Sequence, residues 1–261
     1  MTTLIGKTAM VCGSTQGIGW ETAKLLANKG AQVVLVARDE QKLAQKVSEL
    51  STPNNQIHSY IAADFTQPEL LKSKLENWVS QGNKANILVN NTGGPKGGLI
   101  INAETAEFLD AFNQHLICNH ILVQALYKGM VETGYGRIIN VISTSVKQPL
   151  PNLGVSNTIR GAVANWSKTL ASELGQYGIT VNNVLPGATN TGRLQSIAEN
   201  KAQKTGESTS DIFDEMAKES PMQRIAEPIE VANAIVFLAS PEASYINGIN
   251  VPVDGGRTKS L

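Results

Sequence analysis

The stretch TAMVCGSTQGIG, residues 8–19, places a short apolar run directly before three glycines. The run Thr8 to Cys12 is typical of a buried strand, and the amphipathic stretch that follows, from Gly19 to Lys29, is typical of a helix. Glycine lets a chain turn sharply and approach a pyrophosphate, and a helix N-terminus offers free N–H groups and a positive dipole end. The stretch therefore predicts a phosphate-binding turn, although a glycine cluster by itself also suits an ordinary turn between a strand and a helix.

Short apolar runs alternate with longer amphipathic stretches along most of the chain. We predict strands at the apolar runs Thr8 to Cys12, Gln32 to Ala37, Gln56 to Ala62, Ile87 to Asn90, Arg137 to Ile142 and Thr180 to Leu185. We predict helices at the amphipathic stretches Gly19 to Lys29, Glu40 to Leu50, Pro68 to Ser80, Asn119 to Glu132 and Val155 to Tyr177. Continuously apolar strands separated by helices are typical of parallel strands that helices cover on both faces. The pattern predicts an α/β protein with a doubly wound parallel sheet (Rossmann fold) in three α/β/α layers.

The sequence shows no linker, internal repeat or low-complexity tract. We therefore expect residues 1–261 to form a single NAD(P)-binding Rossmann domain. Residues 192–222 break the alternation, because they are polar and rich in Lys and Glu. They predict a mobile helical excursion over the site and not a separate domain.

Composition limits the partners and the location that we expect. The 22 basic residues balance the 22 acidic residues, so charge gives no support for a nucleic-acid or anionic-membrane partner. Cys12 and Cys118 lie in apolar sequence and predict reduced interior residues, and no spacing of His and Cys predicts a metal site. The N-terminus lacks the pattern of a signal peptide, and no apolar run is long enough to span a bilayer. We expect a cytoplasmic protein with a small-molecule substrate.

The end of the second predicted strand bears on the choice between NAD and NADP. An acidic residue at this strand tip would bind the adenosine ribose hydroxyls and select NAD. Here Ala37 stands at the tip and Arg38 follows. The charge and the planar donor fork of an arginine suit a 2′-phosphate, which favours NADP(H) over NAD(H). A solvated surface arginine is the alternative interpretation of Arg38.

With its glycines at GxxxGxG spacing, the chain resembles the short-chain dehydrogenase/reductase family, and in particular its 3-oxoacyl-carrier-protein-reductase-like members. Three other motifs support the resemblance. Asn90-Asn91-Thr92-Gly93 looks like the family's Asn-Asn-Ala-Gly, and Pro186-Gly187-Ala188-Thr189-Asn190-Thr191 looks like its Pro-Gly-x-x-x-Thr. The family's closing strand and oligomer-forming tail are matched by Leu238-Ala239-Ser240, Gly248 and Asp254-Gly255-Gly256. The resemblance implies that the cofactor is bound by Gly13, Ser14, Thr15, Gln16, Gly17, Ile18, Gly19, Arg38, Asp64, Phe65, Asn91, Thr92, Gly93, Arg160, Pro186, Gly187 and Thr191. In this family Asp64 would meet the adenine and Thr191 the nicotinamide carboxamide.

The resemblance also places the catalytic residues, and here the chain departs from the family pattern. A serine that holds the substrate oxygen is matched by Ser143. The position of the proton-passing tyrosine falls on Ser156, and that of the lysine four residues later falls on Arg160. The position of the asparagine that anchors a water chain falls on His115.

These substitutions change the chemistry that the site can perform. An alkyl hydroxyl such as that of Ser156 is far less acidic than a phenol, whose pKa is about 10, so it can relay a proton but makes a poor general base. Arg160 keeps a positive charge on the helix face of Ser156, but arginine can only polarise an oxygen or bind an anion. His115 could shuttle protons near neutral pH, or it could be a structural histidine.

Three hypotheses follow for the function. In the first, the protein is an NADP(H)-dependent oxidoreductase that acts on a carbonyl or an alcohol, with a 3-oxoacyl or other acidic substrate among the candidates. In the second, it binds the dinucleotide without catalysis, as a sensor or a partner subunit. In the third, the site serves a non-redox reaction. The resemblance implies a homo-oligomer, either a dimer or a homotetramer, because the family pairs two long helices across a dyad. The corresponding helices here carry extra apolar residues, including Leu122, Trp166 and Leu170; the alternative is that these residues face the sheet.

Overall fold

Seven parallel strands form one sheet in the computed structural model, which describes residues 3–260. In chain order the strands are β1 (Thr8–Cys12), β2 (Gln32–Ala37), β3 (Ser59–Ala62), β4 (Ile87–Asn90), β5 (Gly136–Val141), β6 (Ile179–Pro186) and β7 (Asn250–Val253). Their order across the sheet is β3-β2-β1-β4-β5-β6-β7. The chain thus winds outward in both directions from the central pair β1 and β4, which confirms the doubly wound sheet.

Helices cover both faces of this sheet. In chain order they are α1 (Gly17–Asn28), α2 (Glu40–Ser48), α3 (Pro68–Ser80), α4 (Thr105–Phe112), α5 (Cys118–Thr133), α6 (Gly154–Leu174), α7 (Gly192–Thr205), α8 (Thr209–Lys218) and α9 (Pro228–Leu238). Because side chains alternate along a strand, Val11 packs in one core with Leu26 of α1, and Met10 packs in the other with Leu75 of α3. This arrangement confirms the three α/β/α layers.

Side chains take over backbone hydrogen bonds just before the third strand, and the first helix starts earlier than predicted. The third strand begins at Ser59 and not at Gln56. Before it, Gln56 Nε2 donates to the carbonyl of Ala27, and Nδ1 of His58 accepts from the backbone N–H of Val33. The first helix begins at Gly17, so the third glycine of the turn already belongs to the helix.

Some elements were not predicted, and one interpretation was wrong. Helix α4, a π-helical turn at Asn113–Ile117 and helix α9 were missed. Leu122 and Leu170 are buried in the core against the sheet, so they do not mark a subunit interface. The helices α7 and α8 occupy most of the predicted excursion at 192–222.

Two further predictions concern the cysteines and the absence of a membrane-spanning segment. Cys12 and Cys118 are free and buried, which confirms their predicted interior position. Within residues 3–260, no helix combines the length and the apolar character needed to cross a bilayer.

Candidate active site

A cavity of about 750 Å³ opens at the carboxyl ends of the strands. Residues that follow each of the strands β1 to β6 contribute to its lining. In doubly wound sheets this edge is where ligands bind, at the point where the winding direction changes. All but three of the residues predicted for cofactor binding or catalysis line this cavity; the exceptions are Ser14, Gly19 and His115.

The turn after β1 and the start of α1 leave no room for a side chain at positions 13 and 19, and the φ of Gly17, +55°, also favours glycine. Gly13 has a φ of +58°, and a Cβ placed there would lie 2.5 Å from the carbonyl oxygen of Asn91. A Cβ on Gly19 would lie 2.3 Å from the carbonyl oxygen of Gly13. Gly19 is therefore needed for packing behind the cavity wall and not for direct contact with a ligand. Ser14 is also behind this wall, because it is fully buried and its hydroxyl donates to the carbonyl of Val36 at 3.4 Å.

The N-terminus of α1 faces the cavity without a side-chain cap. Gln16 precedes the helix, makes no side-chain hydrogen bond to its first turn, and lines the cavity together with Gly17 and Ile18. Backbone N–H groups of an uncapped first turn are available to an anion, and the helix dipole adds to the attraction.

At one end of the cavity, the tips of β2 and β3 bring together basic and acidic side chains. Arg38, Lys42 and Asp64 line this end. Oδ1 of Asp39 accepts a hydrogen bond of 2.9 Å from the backbone N–H of Lys42, so this carboxylate caps α2. Lys42 was not predicted from the sequence, because Arg38 precedes α2 and helical spacing therefore does not relate the two side chains.

Two motifs far apart in sequence meet the glycine turn. The side-chain amide of Asn91 donates to the carbonyls of Cys12 and Gly13, at 3.2 and 3.3 Å. Thr191 caps α7, since its hydroxyl accepts from the backbone N–H of Leu194 at 3.3 Å. A Cβ on Gly17 would lie 3.1 Å from Cγ2 of Thr191. The glycine turn, the loop after β4 and the start of α7 thus enclose one space.

The predicted serine and arginine side chains lie at the opposite end of the cavity. Ser143 follows β5, and its Oγ accepts from the backbone N–H of Ser145 at 3.1 Å. Ser156 lies in the first turn of α6, and Arg160 follows one turn later on the same face. All these side chains except that of Ser145 line the cavity. Their hydroxyl and guanidinium groups can hold and polarise a substrate oxygen.

Arg160 is a buried cation with an incomplete set of partners. Only 7% of the residue is exposed, and its Nη1 donates to the carbonyl of Val141 at 3.2 Å. Its Nε is buried and has no hydrogen-bond partner. Burial, and then the positive charge of Arg193, lower the pKa of Arg160 to about 10, so the guanidinium stays charged at neutral pH.

His115 does not support the role of a proton shuttle near neutral pH. The residue is 1% exposed and does not line the cavity, although its neighbour Gln114 does. Burial, followed by the charges of Arg160 and Arg193, lowers the pKa of His115 to about 2, so the imidazole stays neutral. Its Nδ1 is hydrogen-bonded to Oγ1 of Thr92 at 2.6 Å, and the contact fixes the loop after β4.

A second arginine, which was not predicted from the sequence, reaches the same end of the cavity. Arg193 lies in the first turn of α7, is exposed as a whole residue, and lines the cavity. Its Nη2 donates to the carbonyl of Pro95 at 2.6 Å, so the side chain crosses from α7 to the loop after β4. Its position two residues after Thr191 was the only available signal in the sequence.

Comparisons with known proteins agree on one kind of relative. A family model described as enoyl-(acyl carrier protein) reductase matches residues 13–258. The 3-oxoacyl-[acyl-carrier-protein] reductase FabG of Vibrio cholerae is 34% identical over 255 residues, which cover 97% of this chain and 98% of the relative. The short-chain reductase protein NovJ of Streptomyces niveus is 33% identical over 251 residues, with 95% and 93% covered.

Solved structures give the same result. L-sorbose reductase from Gluconobacter frateurii, complexed with NADPH and L-sorbose, superposes with a TM-score of 0.93 at 32% identity, covering 100% of this chain and 99% of that one. A variant of actinorhodin polyketide ketoreductase with NADPH has a TM-score of 0.88 at 30% identity, with 100% of both chains covered.

Proposed function

The chain belongs to the short-chain dehydrogenase/reductase family, and we propose that it is an NADP(H)-dependent oxidoreductase with an altered active site. Its substrate would be a carbonyl compound or, in the reverse direction, an alcohol, with 3-oxoacyl and other acidic compounds among the candidates. The observation that carries the proposal is that Ser143 and Arg160 line the same cavity as the glycine turn and Thr191. A substrate held by the first pair would therefore lie against a dinucleotide held by the second.

The residues present fit a nicotinamide dinucleotide. The uncapped start of α1 suits the diphosphate, and a Cβ on Gly93 would meet nothing within 4 Å, so the loop after β4 leaves open space. The bound cofactor would supply or accept a hydride. Similar structures contain NADPH, and the cations Arg38 and Lys42 at one end of the cavity support the phosphorylated form for this chain. The carboxylate of Asp39 does not override this preference, because its Oδ1 already accepts a hydrogen bond from the backbone N–H of Lys42 at the start of α2.

Replacing Arg38 with leucine tests the preference for NADP(H). We expect the Kd for NADPH to rise about tenfold to hundredfold, the range that corresponds to a charge-assisted hydrogen bond. The Kd for NADH should change less than about threefold, since NADH lacks the 2′-phosphate. Titration of the fluorescence of each reduced dinucleotide measures both constants. Arg224→Leu is the control, because Arg224 does not line this cavity. An equal loss for both dinucleotides would contradict the assignment.

Side chains of the cavity would bind the substrate oxygen and stabilise the charge that develops on it. The hydroxyl of Ser143 donates to the substrate oxygen, and the guanidinium of Arg160 stabilises negative charge that develops there. Because arginine does not deprotonate near neutral pH, it cannot pass a proton. The proton that the substrate oxygen takes up during reduction comes from water, either directly or through the hydroxyl of Ser156. We place Ser156 and Arg160 at the positions where the family usually has tyrosine and lysine.

Turnover of NADPH across a substrate panel tests the function itself. We expect steady loss of absorbance at the reduced cofactor's band with at least one class among ketones, 3-oxoacyl thioesters and quinones. The same mixtures without protein are the control. Tight binding of NADPH without turnover on any of them would contradict an oxidoreductase.

That outcome would favour a second candidate, a dinucleotide-binding sensor or partner subunit. One observation supports it: among the described residues that line the cavity there is no tyrosine, the group that usually passes the proton in this family. A non-redox reaction at the same site is a third candidate. That the chain forms one domain and a homo-oligomer, and that it resides in the cytoplasm, stay predictions.

A further inference from the structure

Two guanidinium groups from different helices converge on the loop after β4. A Cβ placed on Gly94 would lie 3.5 Å from Nη2 of Arg193 and 3.9 Å from Nη2 of Arg160. Both Nη2 atoms therefore lie within 4 Å of one point. Arg160 extends from α6, and its Nη1 donates to the carbonyl of Val141 at the end of β5. Arg193 extends from α7, and its Nη2 donates to the carbonyl of Pro95 in the loop after β4. Each of the two cations is thus hydrogen-bonded to a backbone carbonyl at this point.

No carboxylate of the cavity lining offsets these two charges. The acidic residues among the lining are Asp39 and Asp64, which follow β2 and β3. The sheet order places those strands on the opposite side of β1 from β5 and β6. Burial, and then the positive charge of Arg193, lower the pKa of Arg160. Neighbouring charges of one sign favour an incoming group of the other sign.

The free edge of Arg160 has the geometry that a carboxylate needs. Nε of Arg160 is buried without a partner, and Nη2 is the terminal nitrogen next to Gly94. Nη1 is already used by Val141. Parallel hydrogen bonds from two nitrogens of one planar guanidinium are the usual way in which arginine binds a carboxylate or a phosphate. An oxyanion at this edge would give the buried Nε the acceptor that it lacks.

The position of this edge distinguishes a substrate group from the diphosphate of the cofactor. The diphosphate is expected at the start of α1, beside Gln16 and Gly17. Arg160 instead extends to the end of β5, two residues before Ser143. An anionic group at Arg160 would therefore belong to the molecule whose oxygen Ser143 holds.

We propose that Arg160 and Arg193 form an anion-binding subsite that takes the carboxylate of a small oxo acid, or of the corresponding hydroxy acid in the reverse direction. The carboxylate binds between the two guanidinium groups, and the reacting oxygen lies at Ser143. The subsite rests on the proposed function, because it defines the substrate class of that reaction. Arg193 acts as a specificity-determining residue supplied by α7.

Oxalate is a suitable probe, because it carries carboxylates and cannot be reduced to a product by this chemistry. We would titrate oxalate by calorimetry into the free protein and into the NADPH-loaded protein, for the wild type and for Arg193→Gln. Lys204→Gln is the matched control, since it removes one positive charge from the exposed side of the same helix, outside the cavity. Oxamide, the neutral analogue, controls for binding without charge.

We expect Arg193→Gln to weaken oxalate binding by about tenfold or more, the loss of one charge-assisted hydrogen bond, with the Kd for NADPH changed less than about twofold. Lys204→Gln should change neither constant, and oxamide should bind weakly to all variants. Arg160→Lys, which keeps the charge but loses the donor edge, should also weaken oxalate binding.

Three results would overturn the proposal. Oxalate that fails to bind both the free and the NADPH-loaded wild type would exclude the subsite while leaving NADPH binding, and the proposed function, intact. Weakened NADPH binding with unchanged oxalate binding in Arg193→Gln would assign Arg193 to the cofactor. Equal effects of Arg193→Gln and Lys204→Gln would indicate a general electrostatic effect only. If NADPH fails to bind but oxalate binding to the free protein depends on Arg193, the subsite stands and the oxidoreductase fails.

Discussion

Replacing Gly19 with alanine is expected to raise the Kd for NADPH by more than about a hundredfold, which corresponds to about 2.8 kcal/mol. The new Cβ would lie 2.3 Å from the backbone carbonyl oxygen of Gly13, and a backbone atom cannot give way as a flexible side chain can. The turn must therefore shift, and with it the N–H groups at the start of α1. Overpacking of this kind also costs about 1–3 kcal/mol of stability. Alanine's better helix propensity returns at most about 1 kcal/mol, so the clash outweighs it.

Gly161→Ala is the control for this experiment. Gly161 also lies in a helix, α6, but a Cβ placed there would meet nothing within 4 Å. The free energy of unfolding should stay the same or rise by up to about 1 kcal/mol, and NADPH binding should be unchanged. Thermal unfolding and fluorescence titration measure the two effects. Wild-type affinity in Gly19→Ala would show that the glycine turn does not hold the cofactor.

Replacing Ser143 with alanine is expected to lower kcat by about a hundredfold to a thousandfold, the usual effect of removing one hydrogen-bond donor to a developing oxyanion. The Kd for NADPH should change little, because the hydroxyl of Ser143 is assigned to the substrate. The same hydroxyl accepts from the backbone N–H of Ser145, so a modest loss of stability should accompany the change. Initial rates with the substrate that the panel identifies, and the melting temperature, separate the two effects.

A matched variant removes a serine hydroxyl outside the site. Ser172 lies exposed on α6, where its hydroxyl donates to the carbonyl of Lys168. Ser172→Ala should keep the wild-type kcat. Turnover that survives in Ser143→Ala would remove Ser143 from the mechanism, and the oxyanion would then depend on Arg160 alone.

Local sequence signals account for the parts of the fold that were predicted, and the family resemblance accounts for most of the candidate site residues. The apolar runs gave the strands β1, β2 and β4 with the ends that the structure has. Helix α4 was missed because its flanks carry no strong start signal beyond glutamates, and α9 because it is almost wholly apolar and so lacks a clear amphipathic pattern.

Burial decided the chemistry that the sequence left open. A histidine at position 115 could have been a proton shuttle or a structural residue, and the sequence alone did not separate these roles. Tertiary packing encloses its ring, and the resulting loss of hydration lowers its pKa to about 2. Leu122 and Leu170 show the same limit, because an apolar helix residue can face a sheet or a partner, and only packing shows that these two face the sheet.

The sequence by itself predicted the glycine turn before α1, because a backbone with positive φ and no room for a Cβ leaves a fixed glycine spacing in the chain. It also predicted that the strands β1 to β6 alternate with helices along much of the chain, since these elements follow from short-range periodicity. Only the tertiary structure brought Arg193 to Arg160 at Gly94, three positions that belong to different elements. Their meeting depends on which strands neighbour each other and how α7 packs across their ends, and these long-range contacts leave no local pattern in the chain.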